Sequence, residues 1–326
     1  VDLTIAICTY NGETRLPRVL DHLCDCDQHT PESISWELLI IDNCSTDATA
    51  DVARGYCDRL PLRIVPERQP GLAFARQRAI EAAQGELVGF LDDDNLPNND
   101  WIHQAVAFGQ QHPQIGAYGS RILPDYSIEP PPNFDRIAPF LAITDRGSEP
   151  RRYPPEKRLL PPGAGLVVRR QAWLTSVPQR LTLVGRTTNL ALASEDLEAL
   201  VYLQRNGWDI WYAPELQVHH LIPPWRLQAD YLYRLMRGIG LSRYRTRMLS
   251  FSPLLRPLAL LAYSLNDTRR ILRHLLRYRT QLREDIVAQA ELRFYIACLT
   301  SPVFFWKQQH QAHNSPNSNK TETGQP

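Results

Sequence analysis

Apolar runs of strand length alternate with stretches of helical periodicity through the first third of the chain. "LTIAICTYNG" (3–12) predicts a strand ending in a turn, and "RLPRVLDHLCDC" (15–26) a helix with Pro17 in its first turn. "WELLIIDNCSTDATADVARGY" (36–56) predicts a second strand, a polar turn and a helix, and "LRIVPE" (62–67) a short third strand. "GLAFARQRAIEAAQG" (71–85) has apolar positions at 72, 75, 79 and 82 and stops at a glycine, the pattern of a capped helix. "ELVGFLDDD" (86–94) predicts a fourth strand and "WIHQAVAFGQQHP" (101–113) another helix. Such alternation means βαβ units and a mostly parallel sheet.

The pattern then breaks. Residues 123–162 are crowded with proline and lack periodicity, as expected of a long loop region with a functional or disordered role. "GLVVRRQAWL" (165–174) resumes a strand and a helix start. "SEDLEALVYLQRNG" (194–207) predicts a helix with acids in its first turn and Gly207 at its end, and "WDIWYAPELQVHHL" (208–221) is extended. From 226 the chain turns to helices in which arginines stand beside leucines and tyrosines. The polar stretch 307–326 reads as a disordered tail.

At 326 residues the chain is long enough for one large α/β domain or two small ones. A net charge of +1 gives no global field for nucleic acid. Cysteines fall at 8, 24, 26, 44, 57 and 298 without CxxC spacing, so a zinc or thioredoxin-like site is not expected. Cys8, Cys44 and Cys57 read as small core residues, and a reducing cytosol fits. The sequence shows no signal peptide and no spanning apolar run. The expected location is cytoplasmic, with peripheral attachment to the inner membrane open.

The chemistry gathers at strand ends. Thr9 and Asn11, Asp42 and Asn43, Glu67 and Arg68, and Asp92 to Asp94 all fall there, where ligands bind in open α/β sheets. Three adjacent aspartates repel one another, and a strand-end Asp-x-Asp supplies the oxygen ligands a hard divalent cation needs. The alternative is a solvated acidic turn. Asp42 suits a nucleobase edge, while Ser45, Thr46 and Asp47 suit helix capping. Gly71 opens a helix whose N-terminus suits an anion, and Arg76 lies one turn inside. Glu195 and Asp196 fit either a helix dipole or a base beside a metal site, with Ser194 as a cap. His219 and His220 face opposite sides of any strand, so at most one serves a common site. A histidine ligand favours manganese over magnesium.

Taken in order, "TYNG", "DNCSTD", "GLAFARQRA", "FLDDDN", "GAGLVVRR", "SEDLEAL", "APELQVHH" and "YLYRLMRGIGLSRYR" resemble a family 2 glycosyltransferase of the GT-A fold over roughly residues 1–245. The C-terminal part resembles bacterial, including cyanobacterial, enzymes of surface or exported polysaccharide synthesis. The resemblance implies a Rossmann-like, mostly parallel sheet flanked by helices, with a helical extension. Its catalytic domain would span 1–225, with a nucleotide-binding half to about 115 and an acceptor half from about 116, followed by helices at 226–306. It implies an inverting transfer from a nucleotide-diphosphate sugar, UDP favoured, to a saccharide or lipid-linked acceptor.

By position, Thr9, Asn11 and Asp42 would hold the base, with Gly71, Arg76 and Asp93 near the nucleotide. Asp92 would lie near the ribose and the metal, and Asp94 would bind Mg²⁺ or Mn²⁺ with His220 as a further ligand. Gly163, Ala164 and Gly165 would lie against the donor sugar, and Asp196 would be the general base with Glu195 beside it. The family often has glycine or tryptophan just before the acidic pair, where this chain has Ala193 and Ser194. Two other functions stay in view. One is a nucleotidyltransferase, although its usual glycine- and lysine-rich phosphate loop is replaced here by "CTYNGETRLP". The other is a non-catalytic scaffold of the same fold in a polysaccharide-assembly complex. The C-terminal leucines and arginines suit an anionic membrane surface, and equally a cap on the core or a dimer contact.

Overall fold

Four strongly apolar segments set the frame. In a computed structural model, which describes residues 1–185 and 194–314, β1 (Leu3–Thr9), β2 (Trp36–Asn43), β3 (Leu62–Glu67) and β4 (Leu87–Leu91) pair in parallel in the order β3-β2-β1-β4. The crossovers between them are α1 (Leu16–Gln28), α2 (Thr49–Arg54) and α3 (Leu72–Ala82). Parallel strands joined by helices end on the same edge, so the polar residues after all four strands meet there.

Beyond β4 the sheet becomes mixed. A three-residue strand β5 (Asn95–Pro97) follows the aspartates, and α4 (Trp101–Gln111) leads into β6 (Ile115–Tyr126). The proline-rich stretch holds β7 (Arg151–Arg152) and short 3₁₀ turns, then come β8 (Leu166–Arg169), α5 (Arg170–Ser176), α6 (Glu195–Arg205) and β9 (Asp209–Ile222). The second half runs β4-β8-β6-β9-β5, with β7 on β9. Only β6 and β9 pair in parallel there. Parallel pairing is thus concentrated in the first half of this α/β sheet.

β6 is the strand that the apolar pattern hides. Gly116 and Gly119 interrupt it because other segments approach too closely for a side chain: a Cβ at Gly116 would meet Trp208 at 2.6 Å and one at Gly119 would meet Pro161 at 2.4 Å. Gly85 also differs from expectation. Helix α3 ends at Ala83 in extended backbone, and Gly85 serves instead to let β1 pass, since a Cβ there would meet the Thr4 nitrogen at 2.5 Å.

The helices α7 (Ala229–Leu249), α8 (Arg256–Tyr278) and α9 (Ile286–Asn314) build on the sheet rather than standing apart. Leu232, Met236, Val287 and Phe294 share a buried cluster with Phe134, Ile137 and Ile222. Arg247 forks onto buried Asp267 at 2.5 and 3.0 Å, joining α7 to α8. Helix α9 runs to Asn314, past the start expected for the tail; residues 315–326 lie outside the described ones. Cys57 is exposed, so it is not the core residue expected; Cys8 is half-buried against the core and Cys44 half-buried, while Cys24, Cys26 and Cys298 are buried. No helix among the described residues is long and apolar enough to cross a membrane.

Candidate active site

The turn after β4 sends its three carboxylates in three directions. Asp93 turns inward: its oxygens accept from Thr9 Oγ1 at 2.6 Å and from Arg15 Nε and Nη2 at 2.9 and 2.8 Å. Thr9 and Asp93 therefore lock the aspartate turn to the start of α1, a structural use of residues that the sequence suggests as nucleotide ligands. Gly12 permits this, since a Cβ there would overlap Thr9 Oγ1.

Asp94 turns toward β9. Its Oδ1 stands 3.5 Å from His220 Nε2, and its Oδ2 is 2.5 Å from Arg226 Nη2. Burial alone would raise this carboxyl, but His220 and Arg226 more than offset it and hold Asp94 at about 2. The histidine ambiguity resolves by register. His220 lies opposite Asn95 and is buried beside Asp94, whereas His219 lies opposite Leu96 on the other face. His220 Nδ1 is 2.9 Å from the Leu141 carbonyl, and its Nε2 is 2.8 Å from Arg226 Nη1.

Asp92 faces Arg76. Enclosure raises its carboxyl above the ordinary range, Arg76 opposes this, and Asp94's charge adds to it. Arg76 is buried, 3.9 Å from Asp92 Oδ1 and 2.9 Å from Glu195 Oε1. Burial works against its charge, but Glu195, Asp196 and Asp92 more than compensate and raise its pKa. One arginine thus ties the aspartate turn to the acids opening α6. Glu195 is buried on it, while Asp196 stays half-buried and accepts the Gly163 N–H at 2.6 Å on one oxygen and the Leu197 N–H at 2.8 Å on the other. Cys8 lies in the same nest of charge, but burial pushes its thiol up to about 12, which removes it as a nucleophile.

Gly163 fits between Arg76 and Asp196, and a Cβ on it would overlap the guanidinium. Gly163→Ala is expected to displace Arg76 and cut activity by about tenfold or more, checked by turnover against melting temperature. Ala164 and Gly165 face inward instead. Gly165 has φ +64 and its carbonyl accepts from Ser120 Oγ at 2.6 Å, so these two shape the turn from the interior.

Other residues expected at the nucleotide also make hydrogen bonds within the protein. Asn11 (φ 49) spends its side-chain oxygen on the Thr46 N–H at 2.8 Å, and Asp42 accepts the Ser45 N–H at 3.0 Å. Asn43, Glu67 and Gln69 bind one another's groups around Gly71, whose N–H goes to Asn43 Oδ1 at 2.8 Å. The N-terminus of α3 already has an acceptor, the Val184 carbonyl, 3.3 Å from the Ala73 nitrogen. The N-cap of α2 is Ala48, with Asp47 taking the Thr49 N–H from one residue further back. Ser194 makes no side-chain cap bond and sits at φ +88, the left-handed region that favours glycine; Ala193 lies outside the described residues.

Three contributors were not legible as such. Arg15 clamps Asp93, and Arg226 bridges Asp94 and His220. Glu198, fully buried, accepts from the Leu183 N–H at 2.7 Å and Arg245 Nε at 3.0 Å, anchoring the loop before Gly185 to α7. The signal for Arg226 is its place just beyond the histidines, in "HHLIPPWRL". No group of three His, Cys, Asp or Glu side chains forms a metal cluster among the described residues. Asp94 and His220 nonetheless offer an oxygen and a nitrogen to one cation, now the Arg226 guanidinium. Two such donors fit a cation whose other positions are filled by phosphate oxygens.

Sheet order and site together describe a GT-A fold, a sheet that presents carboxylates at its carboxyl edge. Residues 4–172 match the family described as "Glycosyl transferase family 2", and the chain belongs to that family of enzymes. Over 85 residues it is 39% identical to the putative teichuronic acid biosynthesis glycosyltransferase TuaG of Bacillus subtilis, covering 25% of this chain and 32% of TuaG. Over 111 residues it is 30% identical to the poly(ribitol-phosphate) β-N-acetylglucosaminyltransferase TarS of Staphylococcus aureus, covering 33% of this chain and 19% of TarS. The chain thus spans a third or less of the length of these relatives. Among solved structures, the mannosyltransferase PcManGT from Pyrobaculum calidifontis with GDP-Man and Mn²⁺ superposes at TM-score 0.59 and 19% identity, covering 94% of this chain and 87% of that one. S. aureus TarS 1–349 with UDP-GlcNAc does so at 0.53 and 16%, covering 94% and 92%.

Proposed function

We infer that the chain transfers a sugar from a nucleotide-diphosphate donor, UDP-sugar favoured, to a hydroxyl of a saccharide or lipid-linked acceptor, with inversion, in the synthesis of a cell-surface glycan. The observation that carries this is Arg76: it joins Asp92 at the strand edge to the acid pair of α6, so donor and acceptor chemistry share one site. The TuaG and TarS relatives support the glycan, and the nucleotide-sugar complexes of TarS and PcManGT support the donor.

Asp196 is the residue suited to act as base. It is half-buried and held by two backbone N–H groups, whereas Glu195 is buried on Arg76 and positions it. The acceptor oxygen attacks the anomeric carbon, the bond to the diphosphate breaks, and Asp196 takes the hydroxyl proton. Asp92 and Asp42 remain the carboxylates open to a nucleoside. Asp94 and His220 would hold the divalent cation, which when bound stabilises negative charge on the leaving diphosphate. Incubation with UDP-, GDP- and dTDP-sugars and an oligosaccharide acceptor tests this reading. Release of nucleoside diphosphate matched by sugar transfer supports it, and release of pyrophosphate from a nucleoside triphosphate would replace it with a nucleotidyltransferase.

An anionic bilayer is the partner that the C-terminal helices fit best. Leu258, Leu261, Leu265, Leu272 and Leu276 recur at helical spacing on α8 and remain more than half exposed. Arg269, Arg270, Arg273 and Arg277 flank them, and the helix's single acid, Asp267, is buried on Arg247. Each arginine near an anionic surface contributes about 1 kcal/mol. A second copy of α8 would instead oppose like charges. The wild type is expected to sediment with phosphatidylglycerol vesicles and not with neutral ones. Replacing Leu258, Leu265 and Leu272 by Asp should abolish this, and unchanged sedimentation would exclude the bilayer.

A further inference from the structure

The guanidinium of Arg226 occupies the place of a cation. Nη2 is 2.5 Å from Asp94 Oδ2 and Nη1 is 2.8 Å from His220 Nε2, so a single planar group bridges the oxygen and the nitrogen that would ligate a metal. The bridge is enclosed: the Arg226 side chain is 16% exposed, Asp94 8% and His220 6%. Arg226 Nε is buried with no hydrogen-bond partner among the described residues, so the arginine is satisfied only at its tip. The backbone that carries it is a short 3₁₀ turn, Pro224–Leu227, between β9 and α7, with exposed Trp225 beside it.

Charge balance makes this arrangement consequential. Without Arg226, Asp94 would be a buried carboxylate crowded by Asp92 and Asp93, an expensive state without a counter-charge. With Arg226 in place, a divalent ion cannot reach Asp94 and His220 until the guanidinium leaves. The two cations are therefore mutually exclusive at these ligands, and each lowers the apparent affinity of the other. An arginine fork displaced from a carboxylate seeks another planar anion, and a diphosphate offers one.

We propose that Arg226 is the resident counter-cation of the donor site, exchanged for a divalent ion when the nucleotide diphosphate binds, after which its guanidinium holds the diphosphate. This rests on the nucleotide-sugar function above. It makes Arg226 a donor-binding residue, and it couples metal entry to donor entry: metal alone binds weakly, metal with nucleotide binds well.

The test reads Mn²⁺ binding by electron paramagnetic resonance, first with Mn²⁺ alone and then with UDP, on wild type, Arg226→Gln, Arg226→Lys and Asp94→Ala. Arg226→Gln is expected to bind Mn²⁺ alone about tenfold more tightly than wild type, because the competing cation is gone. The same variant should bind UDP in the presence of Mn²⁺ more weakly, because the diphosphate has lost a donor. A purely structural arginine would weaken both, so the opposite signs are diagnostic. Arg226→Lys should fall between wild type and Gln in both measurements, and matching circular dichroism spectra establish that the variants fold. Mn²⁺ affinity unchanged or lowered in Arg226→Gln, while Asp94→Ala still abolishes Mn²⁺ binding, would overturn the exchange and leave the site standing. Failure of the wild type to bind Mn²⁺ or UDP together or apart would overturn the functional reading and this inference with it.

Discussion

Asp196→Asn should lower turnover by about 10²–10⁴-fold while leaving nucleotide binding close to wild type. The asparagine keeps the shape of the side chain and one carbonyl oxygen for the Gly163 N–H, so the tie between α6 and the Gly163 turn survives. It loses the second acceptor, used by Leu197, and it loses the ability to take a proton from an acceptor hydroxyl. The measurement is nucleoside diphosphate release with saturating donor, set beside calorimetric binding of the nucleotide. A fall in both would mean that Asp196 holds the site together rather than serving as base. Glu195→Gln makes the contrast. It weakens the pair with buried Arg76 and should reduce melting temperature together with activity, since its role is positional.

Asp94→Ala is the second large effect, and it has two parts. Turnover should be lost with the metal ligand. Stability should fall by about 3 kcal/mol, because Arg226 and His220 are left buried around a missing charge. The pH dependence identifies the cause. Asp94 is held at about 2, below its ordinary 3.8, so its contribution is fully present above the ordinary value and is lost as pH falls through about 2. The stability gap between wild type and variant should therefore be constant near neutrality and narrow between about pH 4 and pH 2. A gap that persists unchanged to pH 2 would show that Asp94 contributes through packing rather than charge.

Much of the frame is legible in the sequence because burial on both faces of a parallel sheet demands continuous apolar runs. β1 to β4 are such runs, and their polar ends fall on one edge by topology alone. The roles of single residues at that edge are much less legible. Asp93 reads like Asp92 and Asp94, and it is Thr9 and Arg15, 84 and 78 positions away in sequence, that make it structural. Gly85 reads as a helix cap, and the stretch 114–122, with Gly116 and Gly119, gives no strand signal. In each case the cause is a backbone or ring brought close by folding, which leaves no local mark. The site's cation-like centre, Arg226, was hidden for a related reason. It follows a proline pair in a segment without periodicity, and its significance depends on β9 running antiparallel to β5, which brings His220 against the residue after Asp94. The histidine choice was half legible: alternation on a strand allowed only one of the two, and register decided which.

The most direct test of a nucleotide-sugar site at this sheet edge is calorimetric titration of UDP, GDP and dTDP into the wild type and Asp94→Ala, each with and without Mn²⁺. The expected result is binding of one nucleotide to the wild type that strengthens with Mn²⁺, with that strengthening gone in Asp94→Ala. Absence of binding for all three nucleotides, with or without metal, would contradict it and favour a scaffold that keeps the fold and recognises a protein partner instead.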